Sequence, residues 1–128
     1  MVTESIQLTG IGQIAINAHD IERATVFYRD ALGMTHLFTA GDMSFFDCGG
    51  VRLMLGLPDR PEFDHPSSII YFTVADARAA YEELKDSVRF RDEPLVVHRT
   101  ETHELWMAFF DDTEGNTLAL MSEIALEN

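Results

Sequence analysis

Two histidines and a glutamate in the second half of the chain could together bind a metal ion. His98, Glu101 and His103 lie close together, where the pattern of apolar residues predicts that two strands turn back on each other. Glu101 and His103 share one face if the strand stays regular, and imidazole and carboxylate groups are common zinc ligands. A polar hairpin tip has the same composition without any function. The sequence leaves both interpretations open.

Other motifs lack part of the pattern that their chemistry needs. Cys48 precedes a double glycine, but the sequence fixes no histidine beside it that could activate the thiol. Gly10 and Gly12 precede a predicted strand and lack the third glycine of a dinucleotide-binding loop. His103 and Glu104 begin like a metalloprotease motif, but the second histidine is replaced by Met107. The sequence therefore assigns no catalytic residue.

The elements that must position these residues begin with a first unit at residues 11–57. Apolar residues alternate up to Asn17, which predicts a strand, and Asp20 then stands at a helix N-cap. A helical apolar stripe ends at Gly33, which predicts a C-terminal cap. Three short apolar runs separated by glycine turns follow, and each predicts a strand. The first unit therefore has the order β-α-β-β-β.

A second unit at residues 67–123 repeats this order after a proline-rich linker at residues 58–66. Prolines at three linker positions prevent a regular element. The residues after the linker predict a strand, Asp76 is a second N-cap, and a second apolar stripe predicts a helix. A loop around residues 89–93 is predicted next, and three further strands complete the unit.

The two units correspond closely enough to predict the fold. Asn17 to Asp20 corresponds to Thr73 to Asp76, and the Phe-Phe-Asp run at Phe45 recurs at Phe109. Each sheet alone would leave an apolar face exposed, so the units must pair with each other or with a second chain. We predict a single α+β domain over residues 1–128, in which two tandem β-α-β-β-β units form a curved mixed sheet around a cleft.

The charge of the chain excludes some partners. Nine Lys and Arg residues against 22 Asp and Glu residues give a formal net charge of −13, which repels the phosphates of nucleic acid. The field could favour a cationic ligand, or the acidic residues could serve solubility alone. No apolar run approaches the roughly 20 residues that span a bilayer, and the first residues do not resemble a signal peptide. We expect no membrane partner and a cytoplasmic location.

Two motifs give the chain a resemblance to a known family. F-Y-R-D-A-L-G-M ends the first helix, and D-D-T-E-G-N forms a turn in the second unit. Together with the repeat, these motifs resemble the vicinal oxygen chelate superfamily, which includes glyoxalase I, bleomycin-resistance proteins, fosfomycin-resistance enzymes and extradiol dioxygenases. The resemblance extends over residues 11–123 and implies the fold predicted above. One scaffold with many chemistries does not by itself identify the activity.

The resemblance also implies where a metal would be bound. The ligand positions of the metal-dependent members fall here on Gln13, Met54, Ile69 and Ala119. Only Gln13 offers an oxygen, Met54 offers a soft thioether, and the other two offer no donor. A catalytic metal normally has at least three protein ligands. We therefore expect no metal at these positions and no cofactor, which leaves glyoxalase-type isomerisation and dioxygenase chemistry without support.

The cleft itself is expected to bind a small molecule. Strand alternation and the family pattern place one set of side chains on its wall, most of them apolar and a few polar. The predicted ligand-binding residues are Gln13, Phe45, Arg52, Met54, Tyr71, Met107 and Phe109. The same aromatic and methionine residues could instead be ordinary core.

Three functions follow as hypotheses. The first is a metal-independent protein that sequesters a cationic or aromatic compound, built as a homodimer with clefts at or near the subunit interface. The second is a glyoxalase-like lyase or isomerase, or a dioxygenase, with a site rebuilt from His98, Glu101, His103 or Tyr71. The third is a regulatory or interaction module whose cleft is filled by side chains.

Overall fold

The computed structural model describes residues 6–127 and shows the repeated order of elements. The first unit contains β1 (Gln13–Asn17), α1 (Ile21–Val26), β2 (Thr35–Ala40), β3 (Met43–Cys48) and β4 (Val51–Gly56). Its sheet has the strand order β1-β4-β3-β2, with β1 parallel to β4 and the other pairs antiparallel. Asp20 caps α1 by accepting a hydrogen bond from the Arg23 amide.

The second unit repeats this arrangement after a short 3-10 turn at Pro61–Phe63. It contains β5 (Ile70–Thr73), α2 (Ala77–Leu84), β6 (Arg89–Phe90), β7 (Leu95–Arg99), β8 (His103–Asp111) and β9 (Thr117–Ala125). β5 is parallel to β9, β9 is antiparallel to β8, and both β6 and β7 pair with β8. The α+β class and the two tandem units are thus confirmed, and the strands form two mixed sheets.

One local prediction was wrong in detail, and another was confirmed. Residues 89–93 were predicted as a loop, but Arg89–Phe90 pair with the end of β8 as β6. The centroid of the Phe90 ring lies 4.9 Å from that of Tyr81 and 5.6 Å from that of Phe110. These two aromatic contacts hold the short strand against the sheet. The first helix ends as predicted: after α1 the chain stays helical as a π-helical turn over Phe27–Ala31, and Gly33 has the positive φ of 69° that suits a C-terminal cap.

One face of each sheet points into a shared core. Because successive side chains of a strand alternate between faces, the core residues of a strand lie at alternate positions, as Leu53 and Leu55 do on β4 and Leu118 and Leu120 do on β9. The buried core residues from both sheets, α1 and the π-helical turn after it are Ile16, Ala24, Phe27, Tyr28, Phe46, Leu53, Leu55, Phe110, Leu118 and Leu120. The residues between them lie on the opposite faces, which we call the first open face (sheet of β1–β4) and the second open face (sheet of β5–β9).

The D-D-T-E-G-N turn fastens the second unit to the first helix. Asp112 accepts hydrogen bonds from the amides of Glu114 and Asn116, both at 2.8 Å, which shapes the turn around its own carboxylate. The buried Tyr28 hydroxyl donates to Asp112 at 2.7 Å. This motif therefore has a structural role that fixes how the two sheets are oriented.

Glu114 completes this attachment with an almost fully buried carboxylate. Its side chain is 1% exposed and accepts hydrogen bonds from Arg23 Nε and from the amides of His19 and Asp20, each at 2.9 Å. Burial alone would raise the pKa of the Glu114 carboxyl, but the donors, above all Arg23, outweigh it and hold the pKa below its ordinary value. The carboxylate is therefore ionised where it caps the start of α1.

Candidate functional site

A row of side chains crosses the first open face. Met54 on β4 is paired with Ala15 on β1 and with Phe45 on β3, and Phe45 is paired with Phe38 on β2. The Phe38 and Phe45 rings are stacked with their centroids 4.6 Å apart. Phe38 is 47% exposed, so this apolar row faces the outside of the chain.

Arg52 and Gln13 form the polar part of the same face. They are direct neighbours across β1 and β4, and Arg52 Nε donates a hydrogen bond to Gln13 Oε1 at 2.9 Å. The guanidinium carbon lies 5.2 Å from the centroid of the Phe45 ring, a cation–π distance. Gln13 Nε2 in turn contacts Met54 Sδ at 3.8 Å. Four of the seven predicted binding residues thus form one contiguous group.

The other three predicted residues lie on the second open face. Ala119 on β9 is paired with both Tyr71 on β5 and Phe109 on β8, and the two rings meet edge to face with centroids 5.8 Å apart. Met107 follows along β8, between Leu95 and Met121. This row has the same positions in the second unit as Ala15, Met54 and Phe45 have in the first, because the two sheets share the same register.

Within one chain the predicted residues therefore form two groups on two separate sheets. The shared core lies on the opposite side of each sheet, and neither Phe45 nor Ala119 belongs to that core. Whether these residues bind a ligand remains a prediction, but the arrangement shows that the wall residues of the two units point away from the packed interior.

A cavity of about 520 Å³ adjoins the first open face. It lies beside Met54 and is closed by the β2–β3 turn and by the linker, two segments that sequence analysis did not place at the site. Its side-chain lining includes Ala15, Asn17, Asp42, Met43, Met54 and Phe63. Gly56 forms its floor, where an added Cβ would approach Met54 Cε to 3.3 Å. The volume fits a small organic molecule.

A larger cavity lies elsewhere on the described part of the chain. It measures about 680 Å³ and is an open depression along α1 next to Ser87 and Thr113. The basic residue of its lining, Arg23, already forms an ion pair with Glu114, in which Arg23 Nε lies 2.9 Å from Glu114 Oε2. None of the predicted binding residues lines it.

The residues at the inherited metal positions do not fit a metal ion. The amide oxygen of Gln13, the one hard donor among them, accepts its hydrogen bond from the Arg52 guanidinium. A cation bound to this oxygen would meet the positive charge of Arg52. Met54 lies beside Gln13, whereas Ala119 lies on β9 of the other sheet, Ile69 directly precedes β5, and neither side chain carries a donor.

The alternative cluster around His103 does not form a metal site either. Among residues 6–127, no three His, Cys, Asp or Glu side chains are grouped as a metal ion requires. His98 and His103 lie on neighbouring strands, Glu101 lies in the turn between them, and all three are exposed. His103 Nδ1 shares a hydrogen bond with Thr102 Oγ1 at 2.9 Å. The cluster is the polar tip of the β7–β8 hairpin.

Cys48 lacks the features of a nucleophile. Partial burial, and secondarily the charge of Asp47, raise the pKa of the thiol above its ordinary value. The thiolate is therefore disfavoured at neutral pH, in agreement with the absence of an activating histidine in the sequence around it.

Both sheets have an edge strand without a strand partner among the described residues. β1 pairs with β4 alone and β5 pairs with β9 alone, so neither has a strand on its other side, and the Asn17 amide at the end of β1 donates instead to Ser67 Oγ at 3.3 Å. Large apolar side chains are exposed next to them, with Ile69 45% and Tyr71 42% exposed. None of the helices in residues 6–127 has the length and apolar character needed to cross a membrane.

Comparisons with known proteins agree with this geometry. The sequence model of the Glyoxalase/Bleomycin resistance protein/Dioxygenase superfamily matches residues 10–120. A glyoxalase/bleomycin resistance protein/dioxygenase from Alicyclobacillus acidocaldarius is 22% identical with a TM-score of 0.69, covering 89% of this chain and 91% of that one. A glyoxalase family protein from Bacillus anthracis is 19% identical with a TM-score of 0.71, covering 94% and 100%.

A lactoylglutathione lyase from Agrobacterium tumefaciens is 23% identical with a TM-score of 0.62, covering 90% of this chain and 94% of that one. Comparison with curated protein sequences gives no match. At these identities the solved structures establish the fold and leave the activity open.

Proposed function

The chain belongs to the glyoxalase/bleomycin resistance protein/dioxygenase superfamily, and we propose that within it this protein binds a small molecule on its open faces without a metal ion. The observation that carries the proposal is the apolar row of the first open face beside a cavity of about 520 Å³. Stacked Phe38 and Phe45 and the flexible thioether of Met54 would pack against a flat apolar body. Sequestration of such a compound would lower its free concentration.

The residues at the inherited positions do not support the metal-dependent chemistries of the family. Lyase, isomerase and dioxygenase reactions of this family rest on a bound metal, and the four inherited positions lack the donor set. The one oxygen among them, on Gln13, is engaged by Arg52 at 2.9 Å.

The protein is proposed to act as a homodimer. Each open face exposes apolar residues, among them Phe38 on the first and Tyr71 on the second, and such patches favour association. The first open face of one copy would then meet the second open face of the other, and the free edges of β1 and β5 would be covered. A cleft closed in this way would bring Met54 and Phe109 to the same ligand.

Selective NMR of the methionine methyl groups tests the binding site. The chain has six methionines. A thermal-shift screen would first select binders among aromatic compounds, cationic compounds and thiol adducts, and the protein would then be titrated with the best of them. A bound compound is expected to shift the Met43 and Met54 resonances and to leave that of Met34, which packs against the core, unchanged. Compounds that shift only Met34, or a screen without a single binder, would refute the proposed site.

A further inference from the structure

Arg52 is the cation that the first open face offers to a ligand. Its Nε is committed to Gln13, while its two Nη groups make no hydrogen bond or ion pair with any residue in the 6–127 range. Asp47 is paired with Arg52 across β3 and β4 and still forms no ion pair with it. The two Nη groups of the guanidinium are therefore free to donate hydrogen bonds to an anionic partner.

This isolation distinguishes Arg52 from most arginines of the chain. With 22 acidic residues available, most of the arginines lie within 4.0 Å of a carboxylate oxygen. The paired ones are Arg23, Arg29, Arg60, Arg78, Arg91 and Arg99. Arg89 also has no ion pair among the described residues, but no side-chain hydrogen bond holds it in place. Among these arginines, Arg52 alone combines a guanidinium held by a side-chain hydrogen bond with the lack of a carboxylate partner.

The guanidinium is held in a defined position at the inherited metal site. Gln13 Oε1 accepts a hydrogen bond from Arg52 Nε at 2.9 Å, and the guanidinium carbon lies 5.2 Å from the centroid of the Phe45 ring. A side chain that is held before binding loses less entropy when the ligand arrives. The atom that would be the metal's oxygen ligand thus orients a positive charge of the protein itself.

We propose that Arg52 replaces the metal in this site and that the ligand carries a carboxylate next to an aromatic or other flat apolar group. The guanidinium fork binds both oxygens of a carboxylate at once, as a point charge such as lysine does not. The adjoining ring would then lie on Phe45 and Phe38 and beside Met54. This inference rests on the proposed binding function and names its ligand class.

The local charge, rather than the net charge, decides the sign of the ligand. The formal net charge of −13 favours a cation at long range. Interactions between exposed charges are, however, screened beyond a Debye length of about 8 Å at physiological salt. A contact with Arg52 is shorter than that length. The experiment must therefore distinguish an anionic ligand from the cationic ligand that the net charge would favour.

Three naphthalene compounds that differ in one group form the probes. Titrations with 1-naphthoate, 1-naphthalenemethanol and 1-naphthylmethylamine would be followed by calorimetry and by the Met54 methyl resonance. Naphthoate is expected to bind at least about tenfold more tightly than the other two, because only a carboxylate forms the charge-assisted pair. Tighter binding of the amine would overturn the assigned ligand class and leave the proposed site standing. No Met54 shift with any of the three would overturn both.

Variants then assign the preference to Arg52. Arg52→Gln is expected to weaken naphthoate binding by about tenfold or more and to leave naphthalenemethanol nearly unchanged, while Arg52→Lys recovers only part of the loss. Arg29→Gln removes the same charge from the turn after α1, where Arg29 pairs with the adjacent Asp30 at 2.8 Å, and should not change the affinity. Equal losses in both variants would show a general field effect and overturn the role of Arg52. Unchanged thermal midpoints would confirm that each variant is folded.

Discussion

Arg52 Nε lies 2.9 Å from Gln13 Oε1, and the two residues are direct neighbours across the parallel strands β1 and β4. This bond uses the one oxygen that the inherited metal positions offer and places a guanidinium beside it. An arginine that pairs with a neutral amide keeps its full positive charge. The first open face therefore presents a guanidinium that is held by a hydrogen bond and has no carboxylate partner among residues 6–127.

Converting this neutral partner into a charged one should abolish the anion site. Gln13→Glu keeps the shape of the side chain but forms an ion pair with Arg52, so the affinity for 1-naphthoate should fall by about tenfold or more. Gln7→Glu makes the same change in the exposed segment before β1 and should leave the affinity unaltered. Calorimetric titration measures both. A Gln13→Glu variant that keeps its naphthoate affinity would show that the Arg52 fork does not bind the carboxylate.

A charge on the second open face should separate the proposed dimer. Ile69 and Val26 are both 45% exposed, the first before β5 and the second on α1. Sedimentation equilibrium is expected to show a dimer for the wild type and for Val26→Glu, and a monomer for Ile69→Glu, because a charge would be buried in the interface without a partner. A wild-type monomer, or a dimer that survives Ile69→Glu, would refute this interface.

The buried bond between Tyr28 and Asp112 should contribute measurably to stability. Tyr28→Phe removes the hydroxyl that donates to Asp112 at 2.7 Å. The free energy of unfolding should fall by about 1–2 kcal/mol, because a buried acceptor loses a donor. Tyr81→Phe, at a partly exposed ring of α2, serves as the control in the same urea titrations. Equal stability of the two variants would mean that the bond does not hold the turn in place.

Glu114 should make the stability of the protein sensitive to acid. The pKa of its carboxyl is lowered in the folded state, so its contribution is complete above the unfolded pKa of about 4.3 and is lost as the pH falls through the folded pKa. Glu114→Gln should cost about 1–3 kcal/mol near neutral pH, because a buried charged acceptor is lost. The difference from the wild type should shrink as the pH is lowered.

Urea unfolding over a pH series measures this effect, with Glu123→Gln on the exposed side of β9 as the control. A stability difference for Glu114→Gln that stays constant down to the lowest pH would contradict the role assigned to the ionised carboxylate.

Local patterns in the sequence predicted most of what is local in the structure. Alternating apolar residues predicted which side of β1 and β4 each residue occupies, and Asp20 and Asp76 were confirmed as helix caps. The repeat also predicted that Met54 and Ala119 occupy matching positions. Met54 is paired with Ala15 and Ala119 is paired with Tyr71, and Ala15 and Tyr71 are equivalent positions in the two units. These features depend on the spacing of apolar residues along the chain and on the residue types found at turns and helix caps. Both can be read directly from the sequence.

The features that the sequence did not predict depend on long-range packing. The separation of the two open faces results from contacts such as Tyr28 with Asp112, residues that no local pattern connects. The bond between Arg52 and Gln13 required the side-chain conformations, since strand pairing alone would also have allowed an ion pair with Asp47. The closure of the cavity by Phe63 depends on the path of the linker, where prolines predict only the absence of a regular element.

The metal content of the purified protein tests the central claim most directly. If Arg52 occupies the place of a metal, untagged wild-type protein purified without chelator should contain no stoichiometric transition metal by inductively coupled plasma mass spectrometry. One zinc, nickel, manganese or iron ion per chain that is retained by the wild type and lost in Gln13→Leu would contradict it.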